Sequence, residues 1–83
     1  MNATDFAALR KHLSLTQADL GARMGVSRNA IIDIEAGRTV LRPIHILAIE
    51  RVSLTSAIER GDPMLAAPSV RREALALVRL ITD

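Results

Sequence analysis

The 83-residue chain is predicted to fold as an all-α protein, and three observations carry that expectation. Phe6 is its one aromatic residue, with no Trp or Tyr, so the cross-strand aromatic pairs that hold small sheets together are missing. The apolar half of the chain is Leu, Ile, Val, Ala and Met, with the good helix formers Ala and Leu prominent. These residues recur at helical spacing between positions suited to capping. At 49% hydrophobic and 24% charged, the composition is that of a folded domain rather than a disordered one. The length allows a single core.

A first helix is expected from Asp5 to about Leu13, where Phe6, Leu9 and Leu13 form one stripe and Thr4 is placed to cap the start. Thr16-Gln17-Ala18-Asp19 reads as a capping box, so a second helix should run from Gln17 to Met24 and end at Gly25. Ser27 is placed to cap a third helix, whose buried stripe is Ala30, Ile31 and Ile34 and whose end is Gly37. Pro43 suits the first position of a fourth helix, apolar around much of its circumference through Ile44, Ile46, Leu47, Ala48, Ile49 and Val52. The pattern resumes at Leu54, Ala57 and Ile58, either as a continuation or as a separate helix, and stops at Gly61-Asp62-Pro63. A connector from Met64 to Pro68 then leads to a last helix, Val70 to about Thr82, with Ser69 as its cap. Residues 1–62 are read as the main domain, and residues 63–83 as a connector and helix belonging to it.

Several functions are disfavoured by composition. No cysteine means no disulfide framework, thiolate zinc site or thiol nucleophile. His12 and His45 stand alone, without a second ligand at helical spacing, so no metal is expected. The serines and threonines read as caps, no Ser/His/Asp arrangement is present, and the chain is not expected to be an enzyme or to need a cofactor. No small-molecule ligand is indicated. No apolar run approaches the ~20 residues that span a bilayer, and Met1 to Phe6 lack the features of a signal peptide, so a cytoplasmic protein is expected.

The net charge of +2 is unevenly spread. Between residues 10 and 42, Arg10, Lys11, Arg23, Arg28, Arg38 and Arg42 face only Asp19, Asp33 and Glu35, whereas residues 43–83 carry five charges of each sign. The basic stretch contains the most constrained pattern in the chain, QADLGARMGVSRNAIIDIE from Gln17 to Glu35. Two helices joined by so short a turn must cross steeply. The crossing needs a small residue at the contact (Gly21), a residue tolerant of positive φ in the turn (Gly25), and inward apolar side chains (Leu20, Met24, Val26, Ile31, Ile34).

On LTQADLGARMGVSRNAIIDIEAGR, the chain resembles the helix-turn-helix family of phage Cro and C1 repressors, also called Xre-like, over residues 6 to about 52. The resemblance implies a compact, lambda-repressor-like bundle of about five helices that binds operator DNA, usually as a dimer. It makes the third helix the recognition helix and sets Arg28, Asn29, Ile32 and Asp33 toward base edges. It assigns Gln17 to phosphate, and the neighbouring Thr16, Ser27, Arg38 and Arg42 are expected on the DNA backbone with it. It also implies a structural ion pair between Arg10 and Glu35. Two departures stand out. Asp33 places an acid on the reading face, and the loop from Gly37 to Pro43 is about two residues longer than the family spacing.

The last helix is apolar on more than one face, and a short chain cannot cover all of it. Val70, Ala74, Leu77, Val78 and Ile81 are therefore expected to form a homodimer interface. The expected function is a repressor of transcription that binds double-stranded DNA as a homodimer. The alternative is a helix-turn-helix protein-interaction module, antitoxin-like or an adaptor, with weak or no DNA binding.

Overall fold

The computed structural model describes residues 1–82 as five α-helices and one 3-10 turn: α1 (Ala3–His12), α2 (Gln17–Met24), α3 (Arg28–Glu35), α4 (Pro43–Arg60), the turn Pro63–Leu65, and α5 (Pro68–Thr82). No strand occurs among the described residues. The core is aliphatic around one ring: Phe6, Leu13, Leu20, Ile31, Ile34 and Ile49 are fully buried, with Val52, Ala57, Leu65 and Ala66 beside them. α2 and α3 pack most extensively on each other, α1 backs α3, and α4 runs behind α1 and α2.

Local chemistry explains most boundaries. Thr16 and Asp19 form the expected reciprocal box, the hydroxyl accepting from the Asp19 N–H at 3.0 Å and the carboxylate from the Thr16 N–H at 3.1 Å. Ser27 Oγ accepts from the Ala30 N–H at 3.1 Å. Gly25, Gly37 and Gly61 end α2, α3 and α4 in the left-handed region, at φ 79°, 78° and 63°.

The starts of α1 and α5 correct the expectations, and the alternative left open for α4 is decided. α1 starts earlier, because Asn2 rather than Thr4 is the cap: Asn2 and Asp5 exchange backbone hydrogen bonds as a capping box. α4 is one continuous helix of 18 residues. Its start uses an unforeseen device, in which the Arg42 N–H donates to His45 Nδ1 at 3.0 Å. Ser69 does not cap α5, which begins at Pro68; its hydroxyl donates to the Glu50 carboxylate. The connector is no mere spacer either, since Leu65, Ala66 and Ala67 are buried under α4. Buried Ser53 fastens it there: its Oγ accepts from the Ala67 N–H at 3.0 Å and donates to the Glu50 carbonyl at 2.6 Å.

The α2–α3 crossing depends on backbone proximity at Gly21. A Cβ built there would stand 2.8 Å from the Val26 carbonyl oxygen and 3.2 Å from the Ser27 carbonyl group. Branched side chains cannot fit without forcing the turn away from α2. Gly21→Val is expected to cost about 3 kcal/mol and to lower Tm by roughly 12 °C or more. Thermal unfolding followed by circular dichroism checks this; an unchanged Tm would show that the turn yields freely.

Candidate nucleic-acid interface

The α2–turn–α3 unit is held from behind by a network around Glu35. The Glu35 carboxylate closes α3 and receives a two-pronged bond from Arg10 of α1, Nε to Oε2 at 2.6 Å and Nη2 to Oε1 at 2.9 Å. Arg10 Nη1 also donates to the Leu15 carbonyl at 3.0 Å, in the link to α2. Gln17, the first residue of α2, donates from Nε2 to Glu35 Oε1 at 3.2 Å. Ends of three helices therefore meet on one carboxylate. Both charged side chains are only 11% exposed, so the fork geometry and the extra donors offset the cost of leaving water. The Arg10 guanidinium holds the Glu35 carboxyl below the usual carboxylate range, against the opposing effect of burial and with help from Gln17. The same hydrogen bond raises Arg10.

In front of this anchor lie the residues expected to read DNA. Arg28 and Asn29 are exposed at the start of α3, and Arg28 makes no ion pair among the described residues. Ile32 is half-buried on the same helix. Thr16 and Ser27 are exposed, and although each hydroxyl accepts a capping bond, its own O–H remains available to donate outward. Gln17 is half-buried and shares its amide with Glu35, an engagement that sequence reasoning did not anticipate.

Asp33 is not a bare acid on this face. Arg38 returns from the loop and donates from Nε to Asp33 Oδ1 at 2.9 Å, while the backbone N–H groups of Arg38 and Thr39 both bond to the Asp33 carbonyl. The pair is solvent-exposed, so it is weak and easily exchanged for another partner. Arg23 is likewise engaged, by Glu59 at 3.3 Å. Of the six basic residues between positions 10 and 42, Lys11, Arg28 and Arg42 form no ion pair among the described residues. Arg42 is exposed at the cap of α4.

Closely packed α2 and α3, a tight glycine turn and an exposed polar start to α3 define a helix-turn-helix domain. The helix-turn-helix family model matches residues 6–52, more than half of the chain. The protein belongs to this Cro/C1-type, Xre-like family, which is one of DNA-binding regulators. Neither the curated proteins nor the solved structures compared with the chain give a match.

The Glu35 anchor makes stability depend on pH in a definite direction. Glu35 binds its proton less tightly in the folded chain than in the unfolded one. Its contribution is therefore complete above the ordinary glutamate value of about 4.3 and is lost as pH falls through the lowered folded value. Glu35→Gln is expected to cost about 2 kcal/mol at pH 7, where it strands the Arg10 charge, and progressively less as pH falls from 5 to 2.5. Urea unfolding of both proteins across that range measures the difference; a gap independent of pH would remove the carboxylate from the stability of the anchor.

Proposed function

We propose that the protein is a sequence-specific transcriptional regulator, a cytoplasmic repressor that occupies a short operator in double-stranded DNA as a homodimer and excludes polymerase. The observation that carries the reading is the exposed, unpaired Arg28–Asn29 start of α3, presented by a rigid α2–turn–α3 unit of the family. With α3 in the major groove, Arg28 forks onto guanine O6 and N7, Asn29 pairs with adenine N6 and N7, and Ile32 packs on a thymine methyl. The O–H groups of Thr16 and Ser27, the second amide proton of Gln17, and the Arg42 guanidinium donate to phosphates and set the register. Glu35 orients the Gln17 amide for that task by holding its other proton.

Arg38 has a different part from a plain phosphate contact. Left alone, the Asp33 carboxylate on α3 would face a polyanion; the Arg38 guanidinium neutralises it. Asp33 accepts from cytosine N4 only where Arg38 lets go and turns to phosphate. A bare acid on the reading face would favour the protein-interaction reading, and the Arg38 pairing weakens that argument. What favours it still is the exposed apolar surface of α5.

A salt titration on random duplex DNA tests the main reading. About six phosphates neutralised per dimer give a slope of log K on log salt near −5, a loss of about a thousandfold in affinity between 50 and 200 mM. Binding that is absent or insensitive to salt would overturn the reading and favour the interaction module. Within it, Arg38→Ala is expected to weaken DNA binding by about tenfold, and Asp33→Asn placed in the same chain to restore most of the loss. If Arg38 were only a phosphate contact, the second substitution would restore nothing. Fluorescence anisotropy on one labelled duplex measures all three proteins.

A further inference from the structure

α5 is packed at its root and bare at its tip. Val70, Arg71 and Ala74 are half-buried, Val70 lying against the core, whereas every described residue from Leu75 onward is exposed. Leu77 is 58% exposed, Leu80 79% and Ile81 74%, and among the helices α4 is the one on which α5 packs substantially. Two of the five residues expected at an interface thus face their own protomer, while Leu75 and Leu80, which were not expected there, are open.

Beside the root lies an apolar groove of about 440 Å³ between the end of α4 and α5, lined by Leu54, Ala57, Ile58, Pro63, Leu75 and Val78. Its one charged wall residue, Arg71, donates from Nη1 to the carbonyls of Ala66 at 2.6 Å and Met64 at 3.4 Å.

Two bulk quantities agree with a chain less compact than average for its size. A folded chain of 9.0 kDa is expected to expose about 4,900 Å², and this one exposes 5,415 Å². The surplus of about 500 Å² is close to the ~600 Å² per partner at the lower end of stable interfaces. The radius of gyration, 13.3 Å, likewise exceeds the ~11.8 Å of a compact chain of this length.

We propose that the occupant of the α4–α5 groove is the α5 tip of a second copy of this chain, in a reciprocal, two-fold exchange. Ridge and groove stand on the same helix, one at its tip and one at its root. Antiparallel α5 helices therefore fill both grooves at once, and the assembly closes at two copies. The tip delivers Leu77, Leu80 and Ile81 against Leu54, Ile58 and Pro63 of the partner subunit. Arg72 and Arg79 lie on the side of α5 away from the Val70, Ala74, Leu77 and Ile81 stripe. The proposal rests on the homodimeric regulator reading and gives that dimer its receiving surface.

The absence of cysteine allows a direct test on the full chain without DNA. Wild-type protein at 50 µM is expected to scatter light as twice 9.0 kDa, and Leu77→Glu and Ile58→Glu, both at exposed sites, each as 9.0 kDa with unchanged helical circular dichroism. Mixing a chain carrying Ile58→Cys with one carrying Leu80→Cys is expected to give mainly the mixed disulfide on mild oxidation. A monomeric wild type, a dimer that survives Ile58→Glu, or crosslinking confined to like chains would each overturn the exchange. A foreign protein as the natural occupant would show as the first of these. Loss of salt-sensitive DNA binding in a chain that still dimerises would instead overturn the regulator reading alone.

Discussion

The turn between α2 and α3 passes so close to Gly21 that no side chain fits between them, and this approach sets the angle at which the two helices cross. Everything in front of the crossing depends on it. A helix of eight residues has too few internal hydrogen bonds to hold its own orientation, so α3 borrows rigidity from α2 and from the caps at Ser27 and Gly37. The Glu35 network acts on the same unit from behind, tying α3 to α1 and to the first residue of α2. Geometry and electrostatics thus constrain one small piece of backbone from opposite sides, and that piece carries Arg28 and Asn29 to the surface.

Charge acquires a different meaning once folded. Along the chain the stretch around the reading helices carries twice as many basic as acidic residues. In the structure Arg10 is committed to Glu35, Arg23 to Glu59 and Arg38 to Asp33, so much of that surplus is internal wiring. Lys11 on α1, Arg28 at the start of α3 and Arg42 at the cap of α4 remain without an ion pair among the described residues. The acid on α3 ceases to be an anomaly for the same reason: its counterion comes from the loop that follows, brought back by the left-handed turn at Gly37.

α5 answers a different physical demand. A small aliphatic core saturates quickly, and here it is already closed by α1 to α4 and the Leu65–Ala67 segment, which Ser53 fixes in place. The root of α5 packs on α4, with Val70 against the core, and every described residue from Leu75 onward is exposed. That exposed stretch is largely apolar, as is the groove at the root of the same helix.

The sequence by itself determined the helical class, the α2–turn–α3 unit and the residues on its outer face. Each of these follows from short-range rules: period, cap and positive-φ glycine act within a few residues of one another. Local rules also leave choices open, as at the start of α1, where Asn2 and Thr4 are both capping residues and the box with Asp5 selects Asn2. Only the tertiary structure decided that Gln17 shares its amide with Glu35, that Arg38 covers Asp33, that Ser53 receives the connector, and that Ile44, Leu47 and Ile58 of an apolar helix face water. Those outcomes depend on which segments the folded chain brings side by side, and rules that act within a few residues carry no information about that.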